Sequence, residues 1–526
     1  MTLDTKGDES LQPVTSTVIG DTTKSVDERN LDEAAKYLAN HEEFGPMTPE
    51  QEKKIVKKID SWMIPLLVFC ATLSAVDKVE IGTASLYGFQ TDNGMVGQQY
   101  SWLGSILPLG VSHTIRNISM LLLISFLTLI GLIPASWLIQ RVPAGKLLAT
   151  GSLLWSVCTM CYAPCRTWSG FMGLRFLLGF LEAVSTPCFT VLVASFYKKE
   201  EQPPRNGIIF AYFSSIFNGF FAWVIGYIPA SAPLLKWQYL YLLTGSINVL
   251  YSLFLFFVLP DSPMNAFFLT PEQRYHATRR LASNRTGIAN RVWKWDQVWE
   301  ALLDVKVWLI VLFNIVINIP NGGLQAFGSI IINNLGYSPL VSSLLTMPFG
   351  ILATGGAWAF SYLAAKWHNR RALTAALALF LPIFGTALVY GLPRTNVPGQ
   401  MVGLYFMYFY WPPYVVAISL IQANTGGMTK KAVTYCLVTI GYAAGNLIGP
   451  QTFRSNEAPR YATGVTVMLV SYCICMLILM VYWLVGSWEN KRKDRKYGKP
   501  EEVHEGTIDG FVDVTDRKQH DFRYTT

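Results

Sequence analysis

Charge is what this sequence has least of. Only 14% of its 526 residues are Asp, Glu, Lys or Arg, where an average soluble domain has about a quarter. A chain so poor in charge, 51% hydrophobic and 13% aromatic, cannot cover an ordinary soluble surface. Histidine is scarcer still: there are 6, and only His113 falls inside an apolar run. An intramembrane enzyme needs paired catalytic groups and finds few here. Most of the eight cysteines (Cys70, Cys158, Cys161, Cys188, Cys436, Cys473, Cys475) sit in apolar runs and read as buried thiols. Cys158, Cys161 and Cys165 lack a second ligand cluster, so no metal and no cofactor is expected. Residues 1–55 hold no apolar stretch; no cleavable signal peptide is expected, and the first span should act as the insertion signal. The net charge of +8 is spread over short clusters between apolar runs, so no nucleic acid partner is expected.

What the sequence has instead is a succession of apolar runs, each long enough for a bilayer crossing of about 20 residues. They fall near 62–86, 102–139, 147–163, 170–196, 207–228, 237–259, 308–333, 341–365, 373–391, 401–423, 432–450 and 462–485. A bilayer tolerates only helices and closed barrels, and these runs are too long for barrel strands. The expected fold is therefore an all-α membrane protein of twelve transmembrane helices in two six-helix halves. The expected parts are a cytosolic N-terminal tail (1–58), an N-terminal half (59–259), a polar central loop (260–306), a C-terminal half (307–486) and a cytosolic C-terminal tail (487–526). Thr48-Pro49-Glu50-Gln51 has capping-box spacing with Pro at the first helical position, so a basic helix should lead into the first span. Lys and Arg crowd one set of loops (Arg141, Lys146, Lys198, Lys199, Arg205, Lys366, Arg370, Arg371, Lys430, Lys431), which predicts both termini in the cytosol. The second run is anomalous: Trp102 to Ile139 is 38 residues long and contains His113, Arg116 and Asn117. Removing about Val111 to Leu127 would restore a single span of 21 residues, so an insertion or a retained intron is expected there.

The segment from Gly170 to Tyr197 is apolar yet carries Arg175 and Glu182. Seven residues are nearly two helical turns, which puts both side chains on one face about 10 Å apart along the axis. Ionisable groups at membrane depth face a protein interior or a wet cavity and mark functional sites by default. The first span adds Asp77, Lys78 and Glu80 in its second half. Spans of the C-terminal half offer amides instead: Asn314, Asn318, Asn321 and Gln325 fall on one helical stripe, suited to a substrate's polar body or to bonding between helices. Tyr405, Tyr408, Trp411 and Tyr414 share one side of the tenth span beside Pro412-Pro413, where an aromatic wall or a packed core would serve equally. Asn446, between Gly445 and Gly449, reads as a close helix contact first and a ligand second. The matching basic loops around Arg141 and Lys146 and around Arg370 and Arg371 could latch one conformation or simply mark topology.

Several blocks resemble the major facilitator superfamily, and within it the anion:cation symporter branch of fungal allantoate permease-like transporters. They include Asp77-Lys78 with Ala84-Ser85-Leu86-Tyr87-Gly88, Gly97 to Ser105, and Gln140-Arg141 with Pro143, Gly145 and Lys146. Leu174 to Gly179 with Glu182 and Pro187, Leu259 to Pro263, Asn424 to Lys431 and Gly445 to Gln451 follow in the same order, covering about residues 47 to 490. The resemblance implies a plasma-membrane symporter moving a small organic anion with protons, with allantoate, ureidosuccinate, nicotinate or pantothenate as substrates. It implies that Asp77 and Glu182 titrate while Lys78 and Arg175 hold the substrate carboxylate. Many members carry Arg where this chain has Lys78, which keeps the charge but loses the planar fork.

Together these readings predict a monomeric, proton-coupled importer of a small organic anion, no enzyme, with Asn314, Asn318, Asn321, Gln325, Tyr408, Trp411 and Asn446 as further substrate contacts. Its rivals are a proton-antiport exporter of the same fold and a nutrient sensor that does not transport.

Overall fold

The computed structural model describes residues 44–106, 142–282, 294–498 and 515–526, apart from a few single positions and dipeptides within those ranges. The suspect stretch near 111–127, the rest of the second run after Ile106 apart from Leu138, and Arg141 lie outside the described residues. Among those described the regular structure is entirely helical, and nine helices are long and apolar enough to cross a membrane.

The first is the longest, a 38-residue helix over Pro49–Leu86. Its start is set by the expected capping box: the Gln51 amide N–H donates to Thr48 Oγ1 (3.3 Å) and Thr48 N–H donates to Gln51 Oε1 (2.9 Å). Gln99–Ile106 opens the second run, and Ala144–Met160 is the third helix of the half. The fourth run forms Trp168–Glu182 and Ser185–Phe196. Ser214–Gly226 and Lys236–Val258 complete the first half. The second half begins with Val305–Asn333, N-capped by the Asp304 side chain, and ends with Ala462–Tyr497.

The central segment is less of a loop than its polarity suggests. Its helix Pro271–Ala282 lies against the first half, where Arg280 pairs with Glu52 and Glu201. Its helix Trp295–Leu302 lies against the second half, where Glu300 pairs with Lys430 (3.0 Å). This arrangement puts the start of the first span and the end of the last at one end of the bundle, here called the terminal end. The last helix also runs 11 residues past the expected boundary at 486, and residues 515–526 fold back onto it. A charged tail carries no hydrophobic periodicity, so its docking was invisible to pattern.

The hydrogen bonds joining the halves gather at the far end. Tyr100 Oη donates to the Ala326 carbonyl (2.7 Å), Ser101 Oγ to that of Phe453 (3.3 Å), and the Tyr87 and Ser343 hydroxyls lie 3.2 Å apart. Two glycines let the backbones approach. A Cβ on Gly82 would stand 2.9 Å from the Gln325 carbonyl oxygen, and one on Gly219 would stand 2.7 Å from that of Ser343.

Candidate functional site

The first helix delivers its charges to two faces. Ser74 and Lys78 are one turn apart and share a face; Asp77 and Glu80 share the next one round. On the first face, Lys78 Nζ lies 2.7 Å from Glu182 Oε1, and Ser74 Oγ donates to the same oxygen (2.5 Å). Lys78 keeps 28% of its side chain exposed, against 9% for Glu182, so the cation is the accessible member. Tyr442 of the second half stands near Lys78. Trp411 and Tyr414, stacked with ring centroids 5.1 Å apart, are half-buried on that same half.

The second face is closed. Arg175 is 2% exposed, and its two terminal nitrogens donate to the main-chain carbonyls of Asp77 (3.1 Å) and Lys78 (3.2 Å). A carbonyl oxygen has two lone pairs, so each can accept from the guanidinium beside its bond along the helix. Neither oxygen of Asp77 is in a hydrogen bond; the Thr159 hydroxyl faces it. Glu80 Oε1 accepts from Thr244 Oγ1 (2.7 Å), and Oε2 has no partner. The hydroxyls of Tyr162 and Tyr241 close the pocket around Arg175.

The expected residues therefore divide. Asp77, Lys78, Arg175 and Glu182 come together, but Arg175 is engaged by backbone and buried, not presented to a ligand. Asn314, Asn318 and Asn321 are buried and bond to one another and to the eleventh span. Asn318 Nδ2 donates to Asn314 Oδ1 (2.6 Å), and Asn321 Nδ2 donates to Asn318 Oδ1 (3.0 Å) and Asn446 Oδ1 (3.0 Å). Tyr410 Oη and Gln325 Nε2 both donate to Asn321 Oδ1 (2.6 and 2.8 Å). This is the helix-bonding use of the amide stripe; Gln325, only half-buried, is its accessible end. Tyr408 is core: its ring stacks on Phe349 (3.8 Å between centroids) and its hydroxyl donates to the Leu324 carbonyl (3.1 Å). Pro412 and Pro413 stand in the first turn of Trp411–Asn424, directly after a 3-10 turn at Tyr408–Tyr410, so the helix breaks where the prolines predict.

Among the described residues the basic loops do not meet across the halves. Lys146 Nζ donates to the Phe256 carbonyl within the first half, and Arg371 donates to that of Ser419 (3.5 Å) within the second; Arg370 is exposed. Three residues of the site carry no mark of their own in the sequence: Ser74, Thr244 and Tyr442. Ser74 and Tyr442 each lie four residues before a residue singled out above, Lys78 and Asn446, and that spacing was the available signal.

A family model, described as Major Facilitator Superfamily, matches residues 68–450. The chain belongs to the Major Facilitator Superfamily. An MFS-type transporter, cnsL, of Penicillium expansum is 37% identical over 477 residues, covering 91% of this chain and 89% of the relative. The allantoate permease of Saccharomyces cerevisiae is 32% identical over 533 residues, covering 98% and 94%. Among solved structures, a D-xylose–proton symporter matches with a TM-score of 0.56 at 15% identity, covering 80% of this chain and 96% of the symporter. An inward-facing bacterial homolog of the lysosomal transporter Spinster matches with a TM-score of 0.56 at 14% identity, covering 80% and 95%. At these identities the structures bear on the fold alone. The chain is thus a multi-pass membrane transporter of this superfamily, allantoate permease-like.

Proposed function

We propose that this transporter imports a small organic anion together with protons across the plasma membrane, as a monomer with both termini in the cytosol. The substrate is a ureide such as allantoate or ureidosuccinate, or a vitamin carboxylate such as nicotinate or pantothenate. The observation that carries the proposal is the pair Lys78–Glu182: an accessible cation whose counter-ion is a titratable acid. An incoming carboxylate competes with Glu182 for Lys78. Once displaced, Glu182 is an uncompensated carboxylate at membrane depth and takes a proton. Anion binding and proton binding then favour each other, as linkage requires. The loaded site crosses the occluded state without added charge.

Arg175 pins the first helix through its carbonyls and keeps Lys78 aimed into the gap; Asp77 answers its charge. Glu182 exchanges the proton, and Asp77 sets the local charge on which that exchange depends. Trp411 and Tyr442 flank the substrate's body, with Gln325 at its polar edge. Asn314, Asn318, Asn321, Asn446 and Tyr408 hold the wall in shape. The similarity to an allantoate permease supports a ureide or carboxylate substrate. The accessible cation favours this reading over a proton-antiport exporter. Uptake of a panel of organic acids by cells lacking their own permeases, at acidic and neutral pH, tests it. Accumulation of a carboxylate that rises with acidity is expected; accumulation of neutral or cationic compounds only would reject it.

A further inference from the structure

The last helix does not stop where its apolar run ends. It continues unbroken from Ala462 to Tyr497. Along the span, Val470, Ile474, Leu477, Val481, Leu484 and Trp488 recur at spacings of three and four, share one face and are all exposed. In a membrane transporter such a face meets lipid. The same face then changes character. Lys491, Arg492, Arg495 and Lys496 follow Trp488 by three, four, seven and eight residues, all are exposed, and with Trp488 they line one open cleft. The opposite face is already in use. There Lys493 donates to the carbonyls of Asp516, Gln519 and Phe522, and Asn490 to that of Tyr524. The acids of this stretch are taken too: Asp494 pairs with Arg523 (2.7 Å) and Glu489 with Lys306 (2.6 Å). Among the described residues no ion pair engages the four cations. Lys491 with Arg495 and Arg492 with Lys496 are like charges one turn apart, which destabilises a helix until an anion lies against them.

We infer that this face binds the headgroup of an anionic phospholipid, in the leaflet at the terminal end of the bundle. The lipid's chains lie along Leu477, Val481 and Leu484, and Trp488 marks the level of the interface, where exposed tryptophans collect. Lys491 and Arg492 rise about 5 Å beyond Trp488, and Arg495 and Lys496 about 11 Å. The headgroup region is about 5–8 Å deep on each side of a bilayer. Helical side chains lean toward the N-terminus, here toward the membrane, so the upper pair reaches back to the same layer. Arg492 shows this lean: its guanidinium stands over the Trp488 ring one turn below, 5.7 Å from the centroid. Continuity with the lipid-facing stripe selects a lipid over a soluble anion, and the charge selects an anionic one. With both termini in the cytosol this is the cytosolic leaflet, whose surface is negative. The site does not depend on how transport is coupled.

Native mass spectrometry of the full-length protein in neutral detergent, titrated with phosphatidylserine or with phosphatidylcholine, tests it. Wild type should retain phosphatidylserine in preference. Arg492→Gln with Arg495→Gln should weaken that binding, by about fivefold for each cation removed. Arg492→Lys with Arg495→Lys keeps the charge and should keep the binding, which separates loss of charge from a folding fault. Lys53→Gln with Lys54→Gln removes two exposed cations at the same end of the molecule and should change nothing. An equal loss in that control would show only the diffuse charge of this end, and would overturn the site. So would equal binding of the two lipids by wild type. Displacement of phosphatidylserine by an equal concentration of inositol trisphosphate would make it a site for soluble anions instead. Glu501, Glu502 and Glu505 lie outside the described residues. Binding that appears only when these three are changed to Gln would make the chain's own acidic segment the occupant, and would overturn the inference.

Discussion

Two clusters of buried charge, one in the core of the first half and one at the terminal end of the second, are built on opposite lines. At the terminal end, Lys430 is 1% exposed and meets three carboxylates: Asp516 (2.7 Å), Asp304 (2.8 Å) and Glu300 (3.0 Å). Their other oxygens are used as well. Asp516 Oδ2 accepts from Tyr524 Oη (2.8 Å) and Glu300 Oε2 from Thr515 Oγ1 (2.7 Å). Asn490 and Asn424 each clasp the backbone of residues 524–525 by two hydrogen bonds. In the core cluster, by contrast, Asp77 and one oxygen of Glu80 go without partners, and so does Arg175 Nε. A satisfied network rigidifies; a partly satisfied one is costly unless something else completes it. The first holds structure together. The second leaves polar atoms in its core unanswered.

That contrast can be broken most severely at Lys430. Replacing it by Met leaves three carboxylates crowded at one buried place, and loss of a buried ion pair's partner costs about 3–5 kcal/mol. A large fall in thermal midpoint in detergent is expected. Removing Lys78 by the same substitution should lower stability far less, because Lys78 answers one carboxylate where Lys430 answers three and is 28% exposed, but should abolish substrate binding. Equal falls in midpoint would erase the distinction between the two clusters.

A second test separates the halves. Gly219→Leu forces a side chain into the far end, where even a Cβ would stand 2.7 Å from the Ser343 carbonyl oxygen. Overpacking of this kind costs about 1–3 kcal/mol, here confined to the closed far end. Distances between probes across the far end should lengthen and substrate exchange slow; unchanged distances would mean that Gly219 does not set that closure.

The smallest effect concerns pH. Burial alone would raise the Asp304 carboxyl, but Lys306 and Lys430 hold it below its ordinary value. A lowered folded-state value means that Asp304 contributes stability fully above the unfolded value and loses it as pH falls through the folded one. Wild type should therefore lose part of its stability only below about pH 4, and Asp304→Asn should flatten that acid limb. A limb unchanged by the substitution would assign it elsewhere.

How much of this was legible beforehand follows the same division. The spans, the capping box at Thr48, the proline break after Tyr410 and the shared face of Arg175 and Glu182 are local patterns, and each can be read from spacing; that Asp77 and Lys78 meet them was implied by the family resemblance alone. The docking of 515–526 could not be, since it depends on Lys430 meeting Asp516 from 86 residues away. Nor could the burial of Arg175 against main-chain carbonyls, because carbonyls leave no mark in a sequence. The amide stripe was visible, but its use was not: whether Asn318 faces a substrate or Asn446 depends on which helix lies alongside.

In the proposed cycle Glu182 carries the coupled proton by exchanging places with the substrate at Lys78. Uptake and exchange of allantoate by Glu182→Gln in proteoliposomes, with and without an inward proton gradient, test it most directly. Exchange should persist while uphill, pH-driven accumulation is lost. Accumulation against a gradient with the pH dependence of the wild type would contradict it.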